Sequence, residues 1–548
     1  MIGTLLARGG GALLGLPPAR ARRVGLTRDI RVRARDGVPL LTDHYAPDLP
    51  AGPDVPTVLI RTPYGRGGPM RLLGRLLAGQ GFHAVIQSCR GTFGSGGRFE
   101  PFVSEKADGL DTVDWLRRQP WYGGRFGMFG ASYQGFVQWA LAGEVEDLRA
   151  MVAVVTAAST RDSTYAGGAF SLDTVLTWAE LLEAQAVPWL ARQLELRRGQ
   201  PRLLAGLAHL PLVEADRVAT GGTVPFFQEW LLEHTPGAAY WRSRVFDARI
   251  AEVRTPVAMV TGWHDIFLPA QLGDYAALRA AGERPTLTVG PWTHGSPGLL
   301  AAALREGVPW LRSELAGAEP PARPAPVRIH VGGGAGWRDL PDWPPAATRT
   351  RWHLHPDRGF APAPPPVSAP DRFRYDPADP TPSLGGPLLV AQRAGPVDNR
   401  PVEARDDVLV YTGGRLDAAL EVIGPVTAEV HVRSELGYFD LFLRLCDVDR
   451  RGRSWNVCDG LVRVEPGRFP VAADGVLRVP VTLWPVAHRF RPGHRLRLQV
   501  SGGAHPRYAR NPGTGEPLGS AVRMRAGHRE IFHDPAHPSV VHLPVLPS

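Results

Sequence analysis

The sequence has almost no lysine. Lys106 stands alone among 62 lysines and arginines, and the arginines are interleaved with 53 acidic residues. The formal net charge of +9 is therefore not gathered into a tail or a stripe, as it usually is in proteins that bind nucleic acid. This distribution argues against a nucleic-acid partner.

Cysteine and long apolar runs are scarce as well. Cys89, Cys446 and Cys458 show neither metal-ligand spacing nor a disulfide framework. No segment approaches the ~18 apolar residues of a membrane span. The leucines of residues 1–14 are broken by a glycine run and lack the charged start of a secretory signal. We therefore expect a reduced, cytoplasmic protein with no metal, no cofactor and no membrane partner.

The chain of 548 residues is too long for one core and predicts two or three domains. From Val24 to about Thr156, short apolar runs alternate with a helical pattern, which predicts a parallel sheet covered by helices. This α/β domain is expected to span residues 24–160 and 251–349. Its predicted strands are Thr57–Ile60, Ala84–Ile86, Arg125–Phe129, Pro256–Thr261 and Thr286–Gly290, and its first clear helix is Asp108–Gln119.

The alternation of strand and helix patterns is interrupted at residues 161–250 and is absent from residues 350–548. The stretches Leu172–Leu196 and Pro225–His234 are rich in Trp and Leu and predict an inserted helical cap at 161–250. After about Thr350, short strands such as Val408–Tyr411 and Leu441–Leu445 are separated by turns. This pattern predicts an all-β sandwich or jelly roll at 350–548.

The stretch Arg125–Gly135, RFGMFGASYQG, places Ser132 between a predicted strand and a predicted helix. A serine at such a sharp turn projects its hydroxyl from the sheet edge, beside the amides of the helix start. Gly130 removes a side chain that would clash in the turn. A helix N-cap is the alternative role for this serine, and Gln134 stands where a small residue is usual.

A nucleophilic serine needs a base and a carboxylate that orients the base. In an α/β-hydrolase these follow in the order Ser, Asp, His, each just after a strand. Asp265 follows a predicted strand in GWHDIFL, and His294 follows the next one in VGPWTHG. The sequence therefore predicts Ser132, Asp265 and His294 as the catalytic residues.

Four other residues compete for these roles. His264 adjoins the aspartate but cannot face it and the serine at once. Asp274 is expected to make a surface contact from the next helix, and His83, which precedes a strand, is expected to be structural. His234 is a candidate for lining the pocket from the cap.

With these motifs in place, the sequence resembles the cocaine esterase and X-Pro dipeptidyl-peptidase-like family of serine hydrolases over nearly its whole length. The Ser-Tyr-x-Gly spacing is that family's own form, whereas Cys89 stands where the family often has Asp, at a position that is not catalytic. The resemblance rests on RDGVPLLTDHYAP (Arg35–Pro47), RTPYGR (Arg61–Arg66), RGTFGSGGRFEPF (Arg90–Phe102), the stretch Glu105–Gly135, GWHD (Gly262–Asp265), PWTHG (Pro291–Gly295), YDPADPTPSLGG (Tyr375–Gly386) and the stretch Gly493–Gly515.

The resemblance implies a jelly-roll (galactose-binding-like) C-terminal domain, an activity and an oxyanion hole. Its donors would be the backbone N–H of Tyr133 and the hydroxyl of Tyr64, each worth roughly 10²–10³-fold in rate; a turn aromatic is the alternative role for Tyr64. The implied activity is hydrolysis of carboxylic (acyl or aryl) esters through an acyl-enzyme. X-Pro dipeptidyl-peptidase and α-amino-acid ester hydrolase activities are the alternatives.

Specificity is predicted from the residues after Asp265. Amino-acid ester hydrolases of the family carry acids two and three positions later, where this chain has Phe267 and Leu268. With Trp178 of the cap they predict an apolar pocket for a small-molecule ester, although Asp162 or Glu180 could supply an anion.

The sequence leaves open whether the protein forms a homodimer. Two other classes of function would each require a distinct sequence feature. A binding protein with an inactive hydrolase domain would have lost Ser132, Asp265 or His294, and a zinc hydrolase would carry a motif such as H-E-x-x-H. The sequence shows neither feature.

Overall fold

The first part of the chain is built around a mixed ten-stranded sheet. The computed structural model describes residues 14–49, 55–183, 189–235, 237–319, 323–390 and 392–547. The strands of this sheet are β1 (Val24–Arg33), β2 (Pro39–Pro47), β3 (Thr57–Thr62), β4 (His83–Ser88), β5 (Phe126–Ala131), β6 (Leu148–Val154), β7 (Val257–His264), β8 (Thr286–Thr293), β9 (Val327–Val331) and β10 (Gly336–Leu340). Their order is β1-β2-β4-β3-β5-β6-β7-β8-β9-β10. The block from β4 to β9 pairs in parallel, and β1, β2 and β10 join it antiparallel.

Helices cover both faces of the sheet. In chain order they are α1 (Gly68–Gly79), α2 (Glu105–Arg117), α3 (Tyr133–Trp139), α4 (Arg161–Thr164), α5 (Leu172–Glu183), α6 (Trp189–Ala208), α7 (Ala215–Thr220), α8 (Pro225–Leu232), α9 (Leu268–Ala280) and α10 (Pro297–Ala316). Alternate residues of β3 enter two separate apolar clusters: Leu59 packs with α2, α3 and α9, whereas Val58 and Ile60 pack with α1 and α10. All six residues of β3 are therefore buried, as expected of a parallel strand covered on both sides.

The predicted alternation of strand and helix begins later than expected. β1 and β2 form an antiparallel hairpin around Asp36 and Gly37, and Gly37 takes the left-handed φ of 84° that this turn requires. Between β6 and β7 the described residues form α4 to α8 and short 3₁₀ turns. The predicted helix Leu172–Leu196 corresponds to α5 and the start of α6, and residues 184–188 lie outside the described part.

The C-terminal part is a pair of antiparallel sheets that share one apolar core. Its elements are β11 (Thr348–Leu354), β12 (Phe360–Ala361), β13 (Asp371–Tyr375), α11 (Arg400–Glu403), β14 (Val408–Thr412), β15 (Leu420–Ser434), β16 (Phe439–Val448), β17 (Ser454–Val464), β18 (Leu477–Phe490), β19 (Arg495–Ser501), β20 (Gly527–Phe532) and β21 (Val540–Val545). One sheet has the order β12-β11-β21-β15-β20-β13, with β18 also paired to β15, and the other has the order β14-β19-β16-β17.

Strand β17 was not predicted, because polar residues interrupt its apolar pattern. The structure buries these residues as ion pairs: Asp459 Oδ2 lies 2.9 Å from Arg444 Nη2, and Arg463 Nη2 lies 2.9 Å from Asp440 Oδ2. A buried charge is tolerated only when it is paired and hydrogen-bonded. The sheet therefore carries charges where a sequence pattern predicts a turn.

The two parts of the chain form one continuous contact. Ile423, Ala487 and Ala509 of the C-terminal part belong to the same apolar cluster as α2, α3 and α9. Gly332, just after β9, bridges to His488 of β18. In the part of the chain that the structure describes, no helix combines the length and apolar character needed to cross a membrane. Residues 1–13, which include most of the N-terminal leucines considered above, lie outside that part.

Candidate active site

Ser132 lies in a strained turn between β5 and α3. Its φ of 58° and ψ of −122° fall in a region that residues with side chains rarely adopt. Its N–H donates to the Val154 carbonyl at 2.9 Å, and its own carbonyl accepts the Thr156 hydroxyl at 2.9 Å. Among the described residues the Ser132 side chain makes no capping bond to α3, so the geometry differs from that of a simple N-cap.

Two glycines make this turn possible. A Cβ on Gly130 would collide with the Gln134 side chain, and a Cβ on Gly135 would collide with the Thr156 side chain. Both positions therefore need glycine because the chain folds back on itself, and not because of their φ angles. The turn presents Ser132 at the carboxyl end of β5, which is where α/β sheets usually bind ligands.

Asp265 and His294 lie side by side after β7 and β8. His294 Nδ1 is 2.6 Å from Asp265 Oδ2, and the Phe267 N–H donates to Asp265 Oδ1 at 2.8 Å. The aspartate is fully buried, whereas the histidine side chain is 12% exposed. The imidazole is thus held through one nitrogen, and Nε2 is left for another partner. Within the described residues, no hydrogen bond joins His294 to the Ser132 hydroxyl.

Ser132 opens into a pocket of about 60 Å³ whose described lining contains no charged side chain. Its polar members are hydroxyls, and its apolar members are mostly aromatic rings. Trp178 and Phe267, both predicted to line the pocket, do so, and the Phe267 ring meets the His294 ring edge-on at 5.6 Å. The lining residues are Tyr64, Phe102, Ser132, Tyr133, Phe136, Thr156, Thr160, Ser163, Thr164, Thr174, Val175, Trp178, Trp230, Ile266, Phe267 and Leu389.

Tyr64 and Tyr133, the expected oxyanion-hole residues, both line this pocket. The Trp178 indole N–H donates to the Tyr64 hydroxyl oxygen at 3.1 Å. The Tyr133 side chain points the other way: its hydroxyl donates to Glu105 Oε1 at 2.7 Å and accepts the Phe102 N–H at 3.0 Å. Burial, followed by the Glu105 charge, raises the pKa of this hydroxyl well above its usual value.

A buried ion pair supports Tyr133 from behind. Arg61 Nη1 lies 2.9 Å from Glu105 Oε2, with both side chains essentially inaccessible to solvent. Arg61 also donates to Gln87 Oε1 and to the Glu105 carbonyl. The helix start that carries the Tyr133 N–H therefore rests on a fully buried network. In the described chain, that N–H has no protein acceptor.

Leu268 does not line the pocket with Phe267, contrary to expectation. It is the first residue of α9, it is fully buried, and it packs in the core with the sheet. Consecutive residues at a helix start point in different directions, so one of the pair faces the pocket and the other the core. The sequence prediction places both residues in the pocket lining because they are adjacent in the chain.

The competing residues lie elsewhere. The pKa of His264 is lowered to about 4 by burial, and His264 lines a small cavity beside Asp459 rather than the pocket at Ser132. His234 is exposed and contacts the Leu232 carbonyl. Asp274 was expected at the surface, but it is buried and accepts the Ala158 N–H at 2.9 Å. His83, expected to be structural, contacts His44 at 3.0 Å between ring nitrogens.

Several pocket residues escaped sequence analysis. Phe102 and Trp230 stack in the aromatic wall at a centroid distance of 6.0 Å, although they lie far apart in the chain. Leu389 reaches the pocket from the C-terminal part. No local pattern marks such residues; the Phe102 position could have been suspected only from its motif, RGTFGSGGRFEPF.

A second, larger chamber adjoins the pocket. It measures about 800 Å³ and shares Ser163 and Ile266 with the lining of the first pocket. Asp162, Asp247 and Asp274 line it, together with Arg468 and residues of β17 and β18. Burial, together with the charges of the other two acids, raises the pKa of Asp274 well above its usual value. Across the described residues, no group of three or more His, Cys, Asp or Glu side chains is arranged to hold a metal ion.

Comparisons with known proteins cover most of the chain. Residues 36–296 match the model of the X-Pro dipeptidyl-peptidase (S15) family, and residues 322–542 match that of the X-Pro dipeptidyl-peptidase C-terminal non-catalytic domain. A cocaine esterase of Rhodococcus sp. (strain MB1 Bresler) is 31% identical over 569 residues, which cover 94% of this chain and 98% of the relative.

Two solved structures share the fold. An aminopeptidase from a marine sediment Thaumarchaeota archaeon is 22% identical, with a TM-score of 0.81 over 97% of this chain and 98% of the other. An α-amino acid ester hydrolase is 23% identical, with a TM-score of 0.81 over the same shares of each chain.

Proposed function

Because the chain belongs to the cocaine esterase and X-Pro dipeptidyl-peptidase-like family of serine hydrolases, we propose that it cleaves uncharged acyl or aryl esters through an acyl-enzyme at Ser132. The protein is a serine ester hydrolase. The observation that carries the finer proposal is the pocket at Ser132, whose described lining is aromatic and hydroxylic and has no charged side chain. Such a lining favours an uncharged acyl group, since a buried unpaired charge costs several kcal/mol.

The proposed mechanism uses three side chains. Ser132 Oγ attacks the ester carbonyl carbon while His294 Nε2 takes the hydroxyl proton, and Asp265 holds the imidazole through Nδ1 at 2.6 Å. The tetrahedral intermediate collapses as His294 gives its proton to the leaving alcohol. Water, deprotonated by the same nitrogen, then attacks the acyl-enzyme; the serine recovers its proton as the carboxylic acid leaves.

Two donors would stabilise the oxyanion. The Tyr133 N–H begins a helix beside Ser132, and the Tyr64 hydroxyl lines the same pocket. Donors aimed at a developing oxyanion in a water-poor site are worth roughly 10²–10³-fold in rate each. The Trp178–Tyr64 hydrogen bond supports this role, because it fixes the position of the phenol oxygen.

The remaining parts of the proposal concern architecture and setting. We assign an α/β-hydrolase domain to residues 24–160 and 251–349, a helical cap to 161–250, and a jelly roll to 350–548 that buttresses the site without catalytic groups. The three cysteines are unpaired and buried, which supports a reducing, cytoplasmic location. The proposed partner is a small-molecule ester.

A second candidate, amino-acid ester or X-Pro peptide hydrolysis, has its own supporting observation. Asp162, Asp247 and Asp274 line the chamber beside the pocket, and carboxylates there could receive an α-ammonium group. The α-amino acid ester hydrolase likeness is compatible with this candidate through the fold alone.

A substrate panel tests the proposal. Purified protein is assayed with p-nitrophenyl esters of uncharged acids, with amino-acid p-nitrophenyl esters and with X-Pro anilides. Uncharged esters should give the highest kcat/KM, Ser132→Ala should lose activity by orders of magnitude, and a fluorophosphonate should label Ser132. Labelling of another serine, with full activity in the variant, would remove Ser132 from the mechanism.

A further inference from the structure

A basic pocket lies at the contact between the two parts of the chain, lined by residues of both. It has an open volume of about 460 Å³ and shares no lining residue with the pocket at Ser132. Three arginines and a histidine line it, and no carboxylate does. The lining residues are Gly333, Gly334, Ala419, Arg450, Arg489, Arg491, Pro492 and His494.

Two of the three guanidinium groups are anchored to backbone carbonyls. Arg450 donates through Nε and Nη2 to the Pro492 carbonyl at 3.2 and 2.9 Å, and Arg491 donates through Nε to the Gly333 carbonyl at 2.6 Å. In the described part of the chain, neither arginine has a carboxylate partner. Their remaining N–H groups are thus held in place while still available to a ligand, which lowers the entropy cost of binding.

The other two basic side chains are oriented by acids outside the pocket. Arg489 Nε lies 3.1 Å from Glu421 Oε1, but Glu421 also pairs with Arg338 and cannot neutralise both. His494 Nδ1 lies 2.8 Å from Asp447 Oδ1. This bond leaves the Nε2 edge of His494 for the pocket.

Glycines make room for the two unpaired arginines. A Cβ on Gly334, whose φ is 80°, would collide with Arg491 Nη2. A Cβ on Gly493, whose φ is also 80°, would lie 2.7 Å from Arg450 Nε. Neither Gly333 nor Gly334 has a protein acceptor for its N–H within the described residues. These two N–H groups lie in a turn, and successive backbone N–H groups in a turn can contribute to binding an anion.

From this arrangement we propose that the pocket binds a multiply charged, phosphate-type oxyanion, with a soluble oligophosphate as the ligand. Planar guanidinium groups match phosphate oxygens in bidentate geometry. Three such groups line one cavity, and only Arg489 among them shares an acid within the described chain; their charges repel one another, and a dianionic or more highly charged ligand would relieve that repulsion. A singly charged carboxylate would neutralise less of it.

The test is calorimetric titration of the full-length protein with sodium pyrophosphate at 50 mM and 150 mM NaCl. Saturable binding near one site per chain is expected, weaker at the higher salt concentration. Arg450→Gln/Arg491→Gln should weaken it at least tenfold. Arg31→Gln/Arg33→Gln, which removes the same charge from exposed positions on β1, should change it less than twofold. Ester hydrolysis should be unchanged in both variants, whatever the substrate class. Anion binding and ester hydrolysis are therefore independent measurements, and one proposal can fail without the other.

Four outcomes would overturn the proposal. The first is no saturable heat with pyrophosphate at 1 mM and 50 mM NaCl, and the second is equal weakening in the two double variants. The third is binding to vesicles of phosphatidic acid in phosphatidylcholine without binding of soluble pyrophosphate, which would assign the pocket to a lipid surface. The fourth is unchanged binding in Arg450→Gln, in Arg491→Gln and in the double variant, with all three folded by circular dichroism, which would place the anion elsewhere.

Discussion

The indole N–H of Trp178 donates a 3.1 Å hydrogen bond to the hydroxyl oxygen of Tyr64. One residue belongs to α5 and the other to the loop after β3, so this bond joins the helices above the pocket to the sheet below it. Both side chains line the pocket at Ser132. A donor to the phenol oxygen also polarises its O–H group, which strengthens that group as a donor in turn.

We therefore expect Tyr64→Phe to lower kcat by roughly 10²-fold. Trp178→Phe, which keeps an aromatic ring but removes the N–H, should lower kcat by about tenfold with a smaller effect on KM. The double variant should be no slower than Tyr64→Phe alone, because both changes act on one hydroxyl. Independent, multiplying effects on kcat would show that Trp178 acts only as a wall of the pocket.

Tyr133 is expected to matter for stability through its side chain and for catalysis through its backbone. Tyr133→Phe removes the hydroxyl that bonds Glu105 and the Phe102 N–H. The free energy of unfolding should fall by about 1–3 kcal/mol, while kcat changes less than tenfold. Urea unfolding and steady-state kinetics measure the two effects. Tyr122→Phe, which removes a 2.8 Å bond to Asp147 that is only partly buried, is the matched control and should cost less.

The catalytic candidates could be located from sequence because each follows a strand directly. Ser132, Asp265 and His294 lie just after β5, β7 and β8, and parallel strands gather such residues at one edge. Leu389 and the burial of Asp274 could not be foreseen. Each depends on which distant elements pack together, and neither leaves a local periodicity. The misplacement of Leu268 has the same origin, since a helix start separates neighbours that spacing groups together.

Leu389 offers a test of how the C-terminal part contributes to the site. It is the described pocket residue that comes from beyond β11. Leu389→Ala should raise KM for aryl esters several-fold with kcat nearly unchanged, because it removes apolar contact without touching the reacting atoms. Leu388→Ala, at a buried neighbour that does not line the pocket, is the control for general loosening. A fully active, soluble fragment 1–349 would contradict any need for this part.

The histidine pair on β2 and β4 predicts that the protein loses stability in acid. His44 and His83 contact each other at 3.0 Å beneath Trp121, and burial lowers the pKa of each to about 4. Unfolded histidines titrate near 6.5, so the unfolded chain takes up protons first as the pH falls. The contribution of this pair to the free energy of unfolding is therefore fully present above pH 6.5 and is lost as the pH falls from about 6.5 to 4.

The urea concentration at the unfolding midpoint should accordingly be lower at pH 5 than at pH 7.5. The difference should correspond to a loss on the order of 1–3 kcal/mol in the free energy of unfolding. The Trp121 ring stacks on His44 at 4.0 Å, but it is one of 15 tryptophans, so far-UV circular dichroism is used to follow unfolding at each pH. His83→Gln should flatten the pH dependence, whereas His528→Gln, at a side chain that is 55% exposed, should leave it as in the wild type. An equally steep loss in His83→Gln would assign the sensitivity to other groups.

Specificity is decided between the uncharged pocket at Ser132 and the acidic chamber beside it. If the acyl group enters the pocket, a phenylacetyl ester should exceed the matching phenylglycyl ester in kcat/KM at pH 7 by at least roughly tenfold, because an α-ammonium there finds no anion. Asp274→Asn should then leave this ratio unchanged, since asparagine can still accept the Ala158 N–H. If the chamber holds the ammonium group, wild type prefers the phenylglycyl ester and Asp274→Asn loses that preference selectively. That result would replace the apolar-ester proposal with the amino-acid ester alternative while leaving Ser132, Asp265 and His294 in their proposed roles.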